Sequence, residues 1–208
     1  MEVKNLGLVE YKKAHAYQLE LVEKRKKNEI PDTLILLEHP AVITLGRSTH
    51  KENLLNRPAD VPVIEIERGG DITAHFPGQL TGYLIFDLRN RGKDVHRFMR
   101  DIEQSILDFL SSYGIKGERK PGFTGVYVNG EKICSIGIGV KGWITFHGFG
   151  LNIGTDLSVF DAMVPCGIKN MKMTSLEKLL NKETNKAEVE KRITEAIQKT
   201  FVSISSER

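Results

Sequence analysis

The sequence predicts an α+β fold, in which helices pack on a mixed, mostly antiparallel sheet. Two long segments carry apolar residues at the spacing of one helix face. Several short β-rich segments lie between them, bounded by turn-forming residues. Residues 123–153 have the pattern of consecutive hairpins, which produce antiparallel strands. Since no repeat, low-complexity tract or Pro/Gly/Ser-rich linker divides the 208 residues, we expect residues 1–208 to form a single domain.

The first helix is predicted from about Tyr11 to Lys27. Residues at helical spacing define the face that should be buried. They are Tyr11, Ala14, Gln18, Leu21 and Val22. A basic cluster, residues 24–27, ends this segment, and cations suit the negative end of the helix dipole.

Four segments after this helix are predicted to be strands, because they are rich in β-branched and apolar residues. They cover residues 33–39, 41–46, 61–68 and 81–88. A second helix follows, which Asp94 can cap and Gly114 can end. Its apolar face comprises Val95, Phe98, Met99, Ile102, Ile106, Phe109, Leu110 and Tyr113.

The last third of the chain combines hairpins with helices. Asn129-Gly130 favours a two-residue type I′ turn between two β-rich segments. The sequence VKGW, residues 140–143, predicts the next turn. The chain then returns to helix near Ser175–Leu180 and Ala187–Val202.

Composition and charge exclude several classes of protein. Apolar residues make up 40% and charged residues 27%, as in globular proteins. The net charge of +3 is too small to indicate nucleic-acid binding. The N-terminus lacks the apolar core of a signal peptide, and the most apolar segment is interrupted by Glu38, His39 and Pro40. We therefore expect a cytoplasmic protein without membrane spans, in which two cysteines allow at most one Cys134–Cys166 bridge.

Four familiar signals of function are absent or incomplete in this sequence. GIGVKG, residues 137–142, fits G-x-G-x-x-G, but a strand-like segment follows it where a nucleotide site needs a helix. GVYVNGEK misses the phosphate-binding P-loop, because Glu131 takes the place of the lysine. The six histidines show no short metal-ligand spacing, so no metal site is expected. No G-x-S-x-G nucleophile motif occurs.

Residues 67–83, ERGGDITAHFPGQLTGY, carry the first functional signal. Adjacent glycines permit close approach of the backbone to a ligand, and Arg68, Asp71 and His75 place polar groups around them. A glycine-rich hairpin with solvated polar tips remains the structural alternative.

Lys132 and the two cysteines carry the other signals. Lys132 lies just past a turn in a nearly uncharged segment, where it is either an edge residue or a cation directed into a dry site. Alternation along a strand places Lys132, Cys134, Ile136 and Ile138 on one face, opposite Ile133 and Ser135. Cys134 is most simply a small core residue. Cys166, between a proline and a glycine, is either a buried free thiol or one presented at a loop for reaction.

Residues 67–83, the segment around Lys132 and the segment around Cys166, taken in this order along the chain, resemble the lipoyl(octanoyl) transferase family. The likeness extends over nearly the whole chain. It runs through YKKAHAYQLELVEKR, PDTLILLEHPAVITLGR, RGGDITAHFPGQLTGYLIFDL, TGVYVNGEKICSIGI, FHGFGLNI and FDAMVPCGIKNMKMTSL. It implies a fold similar to the catalytic domains of biotin-protein ligases and lipoate ligases.

The resemblance also implies site residues. The acyl-thioester cysteine of the family falls on Cys166, and its catalytic lysine falls on Lys132. Its substrate-contacting segments fall on three stretches of this chain. They are Arg68, Gly69, Gly70, Asp71, Ile72, Thr73, Ala74 and His75; Ser135, Ile136 and Gly137; and Gly148, Phe149 and Gly150. Two positions depart from the family, since Phe76 stands where glycine is frequent and Cys134 where alanine is usual.

The implied activity is transfer of octanoyl from octanoyl-acyl carrier protein to a lysine ε-amine. The implied acceptors are the lipoyl domains of 2-oxoacid dehydrogenase complexes and the glycine cleavage H protein. Because the donor is already an activated thioester, no ATP, metal or cofactor is expected, and a monomer would suffice. Exposed bases, among them Arg89, Lys93 and Lys169, could meet the acidic carrier, or be solvated surface charges. Three alternatives remain: an ATP-dependent lipoate or biotin ligase, a non-catalytic acyl-binding module, and a cysteine protease, which lacks a recognisable histidine partner.

The chemistry explains why a cysteine and a lysine would be paired. The thiolate is the nucleophile, and a free cysteine has a pKa near ~8.5, so an adjacent ammonium favours the reactive form. A lysine can also accept and return protons when burial lowers its pKa. We therefore expect Lys132 to activate Cys166.

Overall fold

The computed structural model describes residues 1–55, 60–162 and 171–203, and Cys166 lies outside these ranges. Within them the chain forms ten strands. They are β1 (Glu2–Leu8), β2 (Thr33–Glu38), β3 (Val42–Leu45), β4 (Val63–Glu65), β5 (Ile72–His75), β6 (Gln79–Ile85), β7 (Glu118–Lys120), β8 (Phe123–Val128), β9 (Glu131–Lys141) and β10 (Ile144–Asn152). The helices are α1 (Tyr11–Lys26), α2 (Val95–Ser111), α3 (Leu176–Leu180) and α4 (Lys186–Ser203).

Two sheets organise the fold. The large sheet has the strand order β1-β2-β6-β10-β9-β8-β7, and the small sheet has the order β4-β3-β5. Strands β1 and β2 are parallel, as are β3 and β4, whereas all other neighbours are antiparallel. The predicted mixed, mostly antiparallel α+β fold is therefore confirmed.

The helices cover both faces of the large sheet. Helix α1 packs on β6 and β10, where Leu21 and Val22 contact a cluster that includes Ile35, Tyr83 and Phe146. Helices α2 and α4 pack together over the opposite face. A separate core under the small sheet contains Ile43, Ile72, Ala74, Phe160 and Met173. This arrangement leaves the glycine-rich parts of β9 and β10 facing the small sheet.

Local sequence signals explain the ends of most elements. All five residues of the predicted inner face of α1 are buried. Asp94 caps α2 by accepting from the Arg97 N–H at 2.9 Å, and Gly114 follows the helix with φ +74°. Asn129 and Gly130 both have positive φ, which confirms the type I′ turn. The VKGW turn and the two C-terminal helices are confirmed as well.

Three strands were not predicted. Strand β1 mixes polar and apolar residues, and β7 contains only charged, exposed residues, so neither carries an alternating pattern. Strand β5 lies inside the stretch that the sequence marked as glycine-rich. The strand predicted over residues 61–68 is shorter than expected, because only Val63–Glu65 pairs with β3.

Among the described helices, none combines the length and the apolar character needed to cross a bilayer.

Candidate active site

A cavity of about 210 Å³ lies between the large and small sheets. Strands β9 and β10 line it from the large sheet, and the Arg68–His75 stretch lines it from the small sheet. The lining residues are Tyr11, Arg68, Gly70, Asp71, Thr73, His75, Tyr83, Gly122, Phe123, Thr124, Lys132, Ser135, Ile136, Gly137, His147, Gly148, Phe149 and Gly150.

This cavity brings together most residues that the resemblance assigned to the site. Lys132 and the stretches 135–137 and 148–150 all line it. Within the 68–75 stretch, Ile72 and Ala74 instead lie in the core of the small sheet, because alternate residues of β5 point to opposite faces. Gly69 is also outside the lining set and donates its N–H to the Ile138 carbonyl at 3.0 Å.

Lys132 is the most unusual side chain of the site, because it is only 1% exposed. Lysine is almost never fully buried without compensating partners. Its Nζ lies 5.6 Å from the centroid of the Tyr127 ring, a cation–π geometry. Its backbone is held from both sides, since its N–H donates to the Lys172 carbonyl at 2.8 Å and its carbonyl accepts from the Thr174 N–H at 2.9 Å. The lysine is therefore anchored to the chain that follows residue 170.

Gly125 provides the space for the Lys132 side chain. A Cβ at Gly125 would lie 2.6 Å from Lys132 Cε, and the glycine has φ +129°. Its N–H donates to Glu103 Oε1 at 3.0 Å, and Glu103 is a fully buried carboxylate on α2. Arg100 and Arg119 donate to the second oxygen of Glu103 at 2.6 and 3.0 Å. This network fixes the backbone against which Lys132 packs.

The expected alternation along β9 is wrong around Lys132. Tyr127 pairs with Lys132 and Val126 pairs with Cys134, so one step along β8 corresponds to two along β9. This β-bulge turns Lys132 to the cavity, while Cys134 joins the core beneath α2 and α4. The sequence carries no signal for the extra residue, because each of these segments looks like a regular strand.

Cys134 has the properties of a structural thiol. It is a free cysteine with no exposed surface, so this thiol takes part in no disulfide. Burial raises the pKa of the Cys134 thiol well above its usual range, although the nearby Lys132 acts in the opposite direction. A thiol that stays protonated is a poor nucleophile.

Arg68 is held rigidly at the edge of the cavity. Its Nη2 donates to the Thr44 carbonyl at 2.8 Å and to Thr44 Oγ1 at 3.0 Å. A Cβ at Gly137 would lie 3.2 Å from Arg68 Cδ, so this glycine allows the arginine to lie close to β9. Asp71 stabilises the same loop by accepting from the Ile72 and His50 N–H groups at 2.7 and 3.3 Å. The polar side of the cavity is therefore preorganised.

Aromatic and histidine side chains form the wall on the α1 side. Tyr11 and Tyr83 contact His39, whose Nδ1 lies 2.6 Å from the Val9 carbonyl and whose Nε2 lies 2.6 Å from the Tyr83 hydroxyl. Burial lowers the pKa of His39 to about 4, against the effect of the Val9 carbonyl. Burial and then His39 lower the pKa of His75 to about 3. Both imidazoles are neutral near pH 7.

The free energy of unfolding is expected to fall between pH 7 and pH 5. In the unfolded chain His39 and His75 titrate near ~6.5. Below that pH the unfolded state binds protons at these histidines that the folded state does not bind. The contribution of the two neutral histidines to the free energy of unfolding is therefore present above pH ~6.5 and is lost as the pH falls. At pH 5 the loss is about 2 kcal/mol per histidine, since each pH unit is worth ~1.4 kcal/mol.

Urea denaturation at both pH values measures this loss. The His75→Gln variant should show a smaller fall than the unmodified protein. The His96→Gln variant, at an exposed position of α2, should show the same fall as the unmodified protein. If the free energy of unfolding of His75→Gln fell as much between pH 7 and pH 5 as that of the unmodified protein, the neutral, buried state of this imidazole would be contradicted.

Among the described residues, one group of side chains has the spacing of metal ligands: His15, Glu67 and His147. These residues are 52 and 80 positions apart in the sequence, so short ligand spacing could not reveal them. His147 and the two tyrosines of the wall were also absent from the predicted site. Their only sequence signal was that Tyr11, Tyr83 and His147 all fall inside stretches that carried the family resemblance.

Comparison with known proteins decides the family. Residues 10–198 match the model of the lipoyl protein ligase A/B catalytic domain. The chain belongs to this family. The octanoyltransferase of Rubrobacter xylanophilus is 46% identical, over 97% of this chain and 94% of the relative. That of Syntrophotalea carbinolica is 41% identical, over 99% of this chain and 98% of the relative. The resemblance to octanoyltransferases, which are acyltransferases, is thereby confirmed.

Two solved structures share the fold of this chain. A bi-partite lipoate protein ligase from Thermoplasma acidophilum superposes with a TM-score of 0.68 at 14% identity, over 97% of this chain and 84% of the other. The biotin protein ligase of Aquifex aeolicus superposes with a TM-score of 0.57 at 12% identity, over 100% of this chain and 72% of the other. The predicted similarity of the fold to lipoate and biotin ligases is confirmed.

Proposed function

We propose that this protein transfers octanoyl from octanoyl-acyl carrier protein to a lysine ε-amine on lipoyl domains, through a thioester on Cys166. One observation supports this function above others: a fully buried lysine, Lys132, lines a cavity in a chain that is 41–46% identical to octanoyltransferases over nearly its whole length. A buried amine is suited to proton transfer, which acyl transfer between a thiol and an amine requires.

The first half-reaction forms the enzyme thioester. Lys132 takes or holds the Cys166 proton, and the thiolate attacks the octanoyl carbonyl. The carbon–sulfur bond to the carrier pantetheine breaks, and Lys132 returns the proton to the departing thiol. Only six positions separate Cys166 from Lys172, whose carbonyl accepts from the Lys132 N–H. This connection supports a pairing of the two side chains in the proposed reaction.

The second half-reaction transfers the acyl group to nitrogen. The neutral Lys132 accepts a proton from the acceptor amine, which attacks the thioester carbonyl. The carbon–sulfur bond to Cys166 breaks as the amide forms, and the proton passes to the thiolate. The enzyme returns to its starting state without ATP, because the energy of the donor thioester is retained in the intermediate.

The acyl chain is proposed to lie against the apolar residues of the cavity, Phe123, Ile136 and Phe149. Each buried methylene is worth about 0.8 kcal/mol, so the depth of this slot can select chain length. The glycines on β9 and β10 let the chain approach the backbone closely. Arg68, Asp71, Thr73 and the other assigned residues of the 68–75 stretch would contact the polar parts of the substrates.

The remaining expectations belong to this proposal. The acceptors would be lipoyl domains of 2-oxoacid dehydrogenase complexes and the glycine cleavage H protein. The protein would act as a single-domain monomer in the cytoplasm, without a cofactor. Nothing in the octanoyl transfer chemistry requires a second subunit or a nucleotide.

Transfer from octanoyl-acyl carrier protein to a lipoyl domain, measured with ATP absent, tests the function. We expect octanoylation of the acceptor under these conditions. Octanoylation only from free octanoate with ATP would instead support a ligase. Binding of the octanoyl carrier without acceptor modification or an enzyme adduct would support an acyl-binding module.

A further inference from the structure

A histidine pair lies at the edge of the cavity, where α1 crosses β10. The imidazole rings of His15 and His147 stack with their centroids 5.4 Å apart and an angle of 5° between their planes. His147 is only 2% exposed, and its Nε2 has no hydrogen-bond partner among the described residues. A buried polar atom of this kind normally has a ligand or a partner.

The backbone of His147 is held in a defined conformation. Its backbone has φ +60°, an uncommon conformation for a residue with a side chain. Its N–H donates to Gln18 Oε1 at 2.7 Å, and Gln18 is fully buried on α1, three residues after His15. This bond holds the backbone that carries the His147 imidazole against α1. The same helix therefore carries one histidine and the group that positions the other.

Glu67 completes a set of three donors. Its Oε2 lies 3.2 Å from His15 Nε2, and the ligand atoms of Glu67, His15 and His147 all lie within 4.8 Å of one another. Two imidazoles and one carboxylate are a common protein ligand set for Zn²⁺, with bonds of about 2.0–2.2 Å. Tetrahedral bonds of this length place donor atoms about 3.3–3.6 Å apart, so the His15–Glu67 separation already fits approximately.

Chelation requires one ring to turn, because the lone pairs of parallel rings do not converge. His15 can make this movement, since its side chain is 20% exposed on α1, whereas His147 is enclosed. Glu67 supplies negative charge to a dication. The neighbouring cation, Arg68, directs its Nη2 to the Thr44 carbonyl and hydroxyl.

We propose that His15, Glu67 and His147 form a binding site for a divalent transition-metal ion such as Zn²⁺, and that its occupation slows acyl transfer. The slower acyl transfer follows from the location of the metal site. His147 lines the cavity, and Glu67 directly precedes Arg68, which also lines it. A bound ion would hold His147 and Glu67 in fixed positions and reduce the space at this edge of the cavity. The effect on transfer rests on the proposed function, whereas metal binding does not.

Zinc binding is tested on the full chain in a Cys166→Ala background, which removes a competing thiol. Competition with a chromophoric chelator measures Zn²⁺ affinity, and the visible absorption of bound Co²⁺ reports the geometry of the site. We expect one ion per chain. His15→Ala and Glu67→Gln should each weaken Zn²⁺ binding by at least about 10-fold. Loss of a residue that only supports a metal ligand already lowers metal affinity by about 10-fold to 100-fold. Alanine is well tolerated in a helix, so His15→Ala should fold.

His50→Ala is the matched control, because His50 is an exposed histidine that lies 3.7 Å from Glu52 outside this site. It should bind Zn²⁺ like the parent. Failure of the parent to bind Zn²⁺ or Co²⁺, or equal affinity in His15→Ala, would overturn the site.

The transfer reaction tests the second part separately, with Cys166 present. Zn²⁺ should lower the transfer rate of the unmodified protein and of His50→Ala. His15→Ala should keep the basal rate and lose most of the zinc sensitivity. Equal inhibition of His15→Ala and the unmodified protein would show that zinc acts elsewhere, and would overturn the proposed effect on transfer. Because the binding experiment uses no substrate, its result does not depend on octanoyl transfer.

Discussion

Replacing Lys132 with arginine is expected to lower the rate of octanoyl transfer by about 100-fold or more, the usual contribution of a positioned acid–base group. Arginine keeps the positive charge but cannot release a proton in a protein. The larger guanidinium would also have to fit where Lys132 Cε packs against Gly125. The initial rate of transfer from octanoyl-acyl carrier protein to a lipoyl domain measures the loss.

Lys141→Arg provides the control on the same strand. Lys141 ends β9 and makes an exposed ion pair with Glu23 at 2.8 Å, outside the cavity. Its replacement should leave the rate within about twofold, because exposed ion pairs contribute little. A Lys132→Arg protein that retained more than a tenth of the unmodified rate would argue against proton transfer by this lysine.

Replacing Cys166 with alanine is expected to abolish both turnover and the octanoyl-enzyme intermediate. No other described thiol can replace it, because Cys134 is fully buried and its pKa is raised by burial. Intact-mass measurement after incubation with octanoyl-acyl carrier protein detects the adduct. We expect one octanoyl group on the unmodified protein and none on Cys166→Ala.

The Cys134→Ala variant is the matched control. It removes a small core side chain beneath α2 and should cost on the order of 1 kcal/mol in the free energy of unfolding. The adduct and most of the activity should remain. Loss of the adduct in a folded Cys134→Ala protein, with the adduct retained in Cys166→Ala, would mean that the nucleophile was assigned to the wrong sulfur.

Elements with strong local signals were predicted from the sequence. The apolar face and Asp94 cap of α2, the inner face of α1 and the Asn129-Gly130 turn all depend on residues close together in the chain. The short and edge strands were missed, because β1 and β7 are defined by pairing with a neighbour and carry little periodicity of their own. Tertiary contacts decide such strands.

The site was predicted mainly through family resemblance, and the structure adds what local sequence cannot encode. The β-bulge that separates Lys132 from Cys134 depends on the register between β8 and β9. The buried carboxylate of Glu103 accepts from the N–H of Gly125, which packs against Lys132 from another strand. The pairing of His15 with His147 depends on how α1 crosses β10. Each of these contacts depends on residues that are distant in the chain or on the register between two strands, so local sequence patterns do not predict it.

The pH dependence of Cys166 alkylation tests most directly whether Lys132 activates this thiol. The rate of reaction with iodoacetamide follows the thiolate fraction, so its midpoint gives the pKa of Cys166, and the mass of a peptide containing residue 166 identifies the reacting sulfur. The account predicts a midpoint below the usual value of ~8.5 in the unmodified protein and a clear rise in the Lys132→Met variant, which lacks the amine. The same midpoint in both proteins, with Lys132→Met correctly folded, would contradict the pairing of these two residues.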